Sequence, residues 1–365
     1  MYNYNIFNEN YVGGKIVKLV IKMLNAFYGD SFLISCIDDS GTKNIIVDGG
    51  ISRTYTRTLR NEIEKIEEKK QNIDLMFITH VDEDHIGGII SFFEDECINK
   101  SIVKKVVFNS AKSISNFLKT EYDSNREINI KKITDKKVSY SQGKTLENEL
   151  IKLGLLEDRV WKTGDEIKLG QAIIKILTPR KIELKKLNKH WIKESSYKRK
   201  ASASENDYDK TISELMLENT YKKDNSIANR SSISFLLEYG SFKVLMLGDS
   251  RSDVVTKSLK RLGYSTEKKL VLDFVKLPHH GSEKNTFYDL LDIIECKKYI
   301  ISTDGSIFNH PDKKTFSRIL NKFSNVEFYF NYDVYESIFS NVDCEEYKFT
   351  CYKENVMELS DERDI

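Results

Sequence analysis

Proline is nearly absent from this 365-residue chain, with three in all, and histidine is scarce at six. Scarcity gives each position weight. Pro278 directly precedes His279-His280, Pro311 directly follows His310, and Pro179 closes a strand-like run. Cysteine numbers five (Cys36, Cys97, Cys296, Cys344 and Cys351), an odd count with no CxxC pair. That excludes a disulfide framework and fits reduced, mostly buried thiols in a cytoplasmic protein. Excess charge is missing as well. The net charge is +1, so no global field drives the chain toward nucleic acid or a membrane. Residues 1–30 contain no apolar run resembling a signal peptide or a membrane span. No repeat of fixed period is visible.

What is present is a 40% apolar fraction, enough for a real core in one large domain or two ordinary ones. The most informative stretch is Thr79-His80-Val81-Asp82-Glu83-Asp84-His85-Ile86-Gly87-Gly88. Before it, Ile73 to Ile78 reads as a buried strand; after it, Ile89, Ile90, Phe92 and Phe93 open a helix. Two imidazoles and three carboxylates on a strand-to-helix loop repel one another unless a cation lies among them. Imidazole with carboxylate suits Zn, Mn or Fe, and the oxygen-rich mixture moves the balance toward Mn. The plain alternative is a polar loop whose aspartates cap the helix. The gathering of the other histidines at two further loops points instead to one site assembled from distant segments.

Elsewhere strands are expected at Ile16 to Leu24, Phe32 to Cys36, and Asn44 to Val47. The last ends in Asp48-Gly49-Gly50, which reads either as a simple turn or as a turn whose carboxylate supports the metal loop. Further strands are expected at Ile102 to Asn109, Ala172 to Leu177, Ser232 to Tyr239, Lys243 to Leu247, Leu270 to Leu277, and Tyr299 to Ser302, with another from Glu327. Helices are expected at 56–70, Arg251 to Leu262, Phe287 to Ile294, and Thr315 to Phe323. This rhythm predicts two sheets packed face to face with helices outside. Between Arg180 and Lys200 there are nine Lys or Arg against two Glu. The segment at about 180–228 therefore reads as a basic, mobile insertion. Its functional reading makes Lys185, Lys186, Lys189, Trp191, Lys198 and Arg199 contacts to nucleic acid.

Taken in order, His80-x-Asp82-x-Asp84-His85, Gly248-Asp249 and His279-His280-Gly281-Ser282 resemble the metallo-β-lactamase fold. The resemblance is strongest to the hydrolase domain of ComEC-type competence proteins. Gly29-Asp30-Ser31, Asp48-Gly49-Gly50, Gly164-Asp165-Glu166-Ile167, Asn229 with Ser231 and Ser232, and Asn309-His310-Pro311 support it. The resemblance implies an α/β fold, a four-layer αββα sandwich. The matching motifs cover roughly residues 16–325, and the chain is expected to divide into an extension at residues 1–15, a hydrolase domain at 16–350 carrying the insertion, and a tail at 351–365.

The resemblance also implies one or two divalent ions, Zn or Mn. Their ligands would come from His80, Asp82, Asp84, His85, Asp249 and His279. His80 and Asp82 would serve one ion, Asp84 and His85 the other, and Asp249 would bridge. Asp84 would orient or deprotonate a water, and His280 or His310 would assist the leaving oxygen. The residues alone do not assign ligand and catalyst within the His279-His280 pair. There are two departures. Asp82 stands where the wider superfamily usually has histidine, although the ComEC-like branch also has aspartate there. The usual middle histidine, between His85 and Asp249, is missing, because His190 lies in the insertion. That leaves one metal position weak, filled only with substrate, or completed by the histidine pair.

The expected activity is metal-dependent hydrolysis of a phosphodiester, with nucleic acid or another phosphodiester as substrate. The alternatives are hydrolysis of a small ester, lactam or cyclic nucleotide, or a weakly active, metal-stabilised binding or regulatory subunit with a protein partner. A membrane role is not expected.

Overall fold

The computed structural model describes residues 15–122, 135–192, 206–218, 220–307 and 309–363. The expected extension before Lys15, the Trp191 side chain, Lys198 and Arg199 lie outside the described residues.

Two sheets form the centre. The first comprises β1 (Lys15–Met23), β2 (Phe32–Asp38), β3 (Gly41–Val47), β4 (Ile73–Phe77), β5 (Val106–Val107) and β16 (Val356–Arg363), in the order β16-β1-β2-β3-β4-β5. The second comprises β6 (Glu166–Leu169), β7 (Ala172–Thr178), β8 (Ser234–Tyr239), β9 (Phe242–Met246), β11 (Phe274–Lys276), β13 (Lys298–Ile301), β14 (Val326–Phe330) and β15 (Phe349–Lys353), in the order β15-β14-β13-β11-β9-β8-β7-β6. A short parallel pair, β10 (Leu270–Val271) with β12 (Ile294–Glu295), stands beside them.

Period-two alternation builds the layers. In β1 and β2 the side chains Leu19, Ile21, Phe32 and Ile34 point between the sheets, where they meet Ile174, Phe235, Leu237 and Val244 of the second. Phe77 stacks on Phe235 across this interface with ring centroids 4.5 Å apart, a contact of about 0.5–1.5 kcal/mol beyond its burial. The opposite face of the first sheet (Leu33, Ile46, Met76) is covered by Ile63, Ile86, Ile89, Phe92 and Leu146 from helices Arg60–Glu68, Glu83–Glu94 and Asp135–Lys152. The outer face of the second sheet (Leu236, Leu245, Val275) is covered by Val255, Leu259, Phe316 and Ile319 from helices Ser252–Arg261 and Lys313–Leu320. Helix, sheet, sheet, helix is the expected four-layer αββα order.

Three expectations are corrected. The tail at 351–365 is not a tail where it is described. Met357 and Leu359 pair with Ile21 and Leu19, so β16 closes the first sheet, and β15 edges the second. The single strand expected from Leu270 to Leu277 is two. Asp273 breaks it by bonding both ways to Lys243, through its own N–H at 2.9 Å and by accepting the Lys243 N–H at 2.7 Å, which swings the chain from β12 to β9. The described parts of the basic insertion are packed. Leu184 and Leu187 bury against Ile114 and Val160, and Asp207 accepts the N–H groups of Lys313 and Lys314 at the start of the helix that follows them. Lys185, Lys186 and Lys189 are exposed on the outer face of the helix Lys181–Ile192.

The strands β3-β4-β5 run parallel, as do β9-β11-β13-β14-β15. Asp48, His80, Asp249, His279 and His310 all follow the carboxyl ends of such strands, the usual place for ligands in α/β sheets.

Candidate metal centre

The loop after β4 is locked onto the loop after β3 by one carboxylate. Asp48 accepts the Thr79 N–H at 2.8 Å, the Thr79 hydroxyl at 2.7 Å, and His85 Nδ1 at 2.8 Å. The last bond fixes the His85 ring with Nε2 turned to the centre. Of the two readings of Asp48, these bonds favour the one in which it braces the loop after β4. Close backbone contact makes this possible. A Cβ on Gly88 would lie 2.0 Å from the Gly49 carbonyl oxygen, and one on Gly29 would lie 2.1 Å from that of Asp84. Glycine at 29 also lets the Asp30 N–H donate to the Asp84 carbonyl at 3.0 Å, tying the first turn of the helix to the turn between β1 and β2.

Asp82 occupies the cap position of helix Glu83–Glu94 but makes no capping hydrogen bond. Its Oδ2 lies 3.8 Å from His80 Nε2. The capping explanation of this loop does not hold.

Asp249 brings the second sheet to the same point. Its Oδ1 is 3.3 Å from His85 Nε2, and its Oδ2 is 3.6 Å from His80 Nε2 and 3.7 Å from His279 Nε2. Asp249 thus stands between the two imidazoles of the loop. The donor atoms of His80, His85 and Asp249 lie within 4.8 Å of one another, and so do those of Asp84, His85 and His280.

Backbone geometry separates the two rings of the histidine pair. His279, His280 and Gly281 have φ of 49°, 55° and 89°, three successive left-handed residues. This turns the two rings to different walls. His280 is buried, with Nδ1 donating to the Ser302 carbonyl at 2.8 Å and Nε2 3.2 Å from Asp84 Oδ2. His280, rather than His279, joins the grouping of Asp84 and His85. His279 lies nearer the rim, its Nδ1 3.1 Å from Asn285 Oδ1, its Nε2 3.4 Å from Asn229 Nδ2, and its ring 5.0 Å from that of His310. His310 Nδ1 is 3.4 Å from Asp312 Oδ2.

Imidazoles and carboxylates of opposite charge dominate the electrostatics of the centre. Burial acts to lower the His85 pKa, but the carboxylates of Asp249, Asp84 and Asp48 outweigh it and hold the ring well above its ordinary value. His280 is raised to about 10 against its own burial, by Asp30 and Asp84. Burial acts to raise Asp249, but His85, His279 and His80 hold it well below the usual carboxylate range. His80 is pushed down by burial, then by the neighbouring His85. His310 is likewise lowered by burial.

The donor set fits a divalent ion. His80 Nε2, His85 Nε2 and Asp249 Oδ1 are buried polar atoms without a hydrogen-bond partner, and they converge. Burying such atoms costs free energy unless something pairs with them. Imidazole nitrogen beside carboxylate oxygen is the chemistry of Zn and Mn sites.

Sequence reasoning gave little weight to three supporting groups. Asp30 lies 3.4 Å from His280 Nδ1, and only its Gly-Asp-Ser setting signalled it. Asp224 accepts from the amides of Asn229 at 2.8 Å and Asn285 at 3.3 Å, so it orders the amides around His279. Lys276 is fully buried, and within a strand nothing distinguished it from a surface lysine.

A family model described as the metallo-beta-lactamase superfamily matches residues 24–122, about a quarter of the chain. The match includes Asp48 and the His80–His85 loop and stops before Asp249. No curated protein matches the chain in sequence. Among solved structures, the metallo-beta-lactamase fold protein YhfI from Bacillus subtilis is similar at 10% identity and TM-score 0.42, covering 95% of this chain and 100% of that one. CmlA, a diiron beta-hydroxylase from Streptomyces venezuelae, is similar at 12% identity and TM-score 0.39, over 96% of this chain and 55% of that one. A metallo-beta-lactamase from Cronobacter sakazakii is similar at 10% identity and TM-score 0.30, over 70% and 76%. With the match at 24–122 and the two-sheet, four-layer architecture, this chain carries the metallo-β-lactamase fold, that of a superfamily of metal-dependent hydrolases.

Proposed function

We propose that the chain hydrolyses phosphodiester bonds, with nucleic acid as substrate, and is related in function to the ComEC-type hydrolases. The observation that carries this reading is the convergence of unpartnered, buried His80 Nε2, His85 Nε2 and Asp249 Oδ1 beside the Asp84-His85-His280 grouping. His80, Asp82 and Asp249 would hold one ion; Asp84, His85, His280 and the same Asp249 would hold a second. Bound ions of this kind supply Lewis acidity and neutralise phosphate charge.

The chain's own groups do the rest. Asp48, through His85, and the Ser302 carbonyl, through His280, fix the ligand rings. Asp84, a partly exposed carboxylate beside His280, would orient an attacking water. His279 and His310 edge the pocket, and His279, with about a fifth of its side chain exposed, reaches furthest toward a leaving oxygen. Oxygen-rich ligation suits hard ions and phosphate. Exposed Lys222, Lys223 and Lys284 flank the His279 side, where the Asp224 N–H donates to the Lys284 carbonyl. Lys185, Lys186 and Lys189 add positive charge on a helix packed against Ile227–Arg230, the helix that carries Asn229.

The test compares wild type with Asp84→Ala, with Mn or Zn and with chelator, on single- and double-stranded DNA, RNA, a small phosphodiester, an ester and a lactam. Metal-dependent cleavage of nucleic acid, lost in Asp84→Ala, is expected. Turnover of the ester or lactam alone would overturn the phosphodiester reading. Bound metal with no turnover on any substrate would make the chain a binding subunit.

A further inference from the structure

Beneath the centre lies a cation that belongs to the chain itself. Lys276, the last residue of β11, is 1% exposed. Its ammonium donates to Asp30 Oδ2 and, at 3.2 Å, to the Gly248 carbonyl. Asp30 is buried as deeply; its Oδ1 faces His280 Nδ1 at 3.4 Å, and its Oδ2 lies 3.9 Å from His85 Nδ1. Asp30, Asp48 and His85 form a third grouping whose donor atoms lie within 4.8 Å of one another. The Lys276 ammonium sits against that grouping, on the Asp30 carboxylate.

We infer that Lys276 is a resident cation. It is a positioning residue that fills the third acidic grouping with a tethered ammonium, holds Asp30 against His280, and leaves only the two groupings around His80 and Asp84 to exchangeable ions. Three features carry this. Lysine is almost never fully buried unless paired, and here its partner is a carboxylate that contacts a ligand ring. The carboxylates of Asp30, Asp48, Asp84 and Asp249 crowd around His85, and a tethered positive charge offsets one of them permanently. The second acceptor, the Gly248 carbonyl, immediately precedes Asp249. The same ammonium therefore steadies the backbone from which the bridging carboxylate projects and the carboxylate that faces His280.

The inference rests on the reading of the cluster as a metal centre, and its test uses no turnover. Mn binding by the full chain is measured by equilibrium dialysis and calorimetry for wild type, Lys276→Ala, Lys276→Met, and the double variant Asp30→Asn with Lys276→Met. Both single variants should bind Mn about 10-fold to 100-fold more weakly, the usual effect of losing a group that orients a ligand. Methylammonium or potassium should restore part of that affinity in Lys276→Ala, where the shortened side chain leaves room, and not in Lys276→Met, where the chain fills it. The double variant, with both charges removed, should melt close to wild type yet stay weak for Mn. Wild-type Mn affinity in a single variant or in the double variant would overturn the inference, because the pair would then serve stability alone. Absence of rescue in Lys276→Ala would overturn it equally. A wild type that binds no divalent ion would defeat both this inference and the metal-centre reading beneath it.

Discussion

The two halves of the centre are built to different standards. In the Asp84-His85-His280 half, each imidazole has its Nδ1 engaged at 2.8 Å, by Asp48 for His85 and by the Ser302 carbonyl for His280. Its rings are fixed before any ion arrives. In the half around His80 and Asp82, His80 Nδ1 meets only the Thr79 hydroxyl, at 3.0 Å. No histidine between His85 and Asp249 reaches the centre among the described residues; Asn229 lies on that side instead, beside His279. Ligand rings held by outer hydrogen bonds bind metal more tightly. On the proposed reading of the site, the difference would make the first position the tighter of two that share Asp249.

Asp249→Ala strikes both halves and should do most damage. Elemental analysis should find less than one ion per chain, and turnover should fall by more than about 100-fold, beyond what loss of an orienting partner alone achieves. Retention of one tightly held ion would show that the two halves are more independent than the shared carboxylate implies. Asp48→Asn should fall mainly on the tight half. Metal affinity should drop about 10-fold to 100-fold, and stability by about 1–3 kcal/mol from buried groups left unpaired, read from denaturant midpoints. His279→Gln should sharpen the contrast: calorimetry should show the tighter ion unchanged while turnover falls by about 10²-fold. A loss of the tight ion in His279→Gln would return the ligand role to His279. The smallest effect is expected from neutralising Lys185, Lys186 and Lys189 together. The slope of log affinity for single-stranded nucleic acid against log salt should flatten by up to about 2, at roughly 0.7 per phosphate contact. An unchanged slope would remove this helix from the substrate path.

Much of this contrast was legible in the sequence. The strand-to-helix loop, Asp48, Asp249 and the histidine pair each sit where a β-branched or apolar run stops, and local pattern reports that well. The different placement of the two rings in the pair was not legible, because it is set by three consecutive positive φ angles that no residue preference at His279 or His280 announces. Lys276 was hidden for another reason. A lysine ending the strand Phe-Val-Lys looks like a solvent-facing exit, and only its partner Asp30, 246 residues away, takes it inside. β16 escaped notice because its sequence is mostly polar; as an edge strand it needs only Met357 and Leu359 to face the core.

Because the His80–His85 loop hangs from one sheet while Asp249 and His280 hang from the other, an ion held at their junction would work as a clasp between them. Its binding free energy becomes adhesion between the halves of the sandwich, about 2.7 kcal/mol when free metal stands 100-fold above its dissociation constant. Stripping the metal should then loosen both sheets in a single step, and amide exchange should quicken on β4 and β9 together.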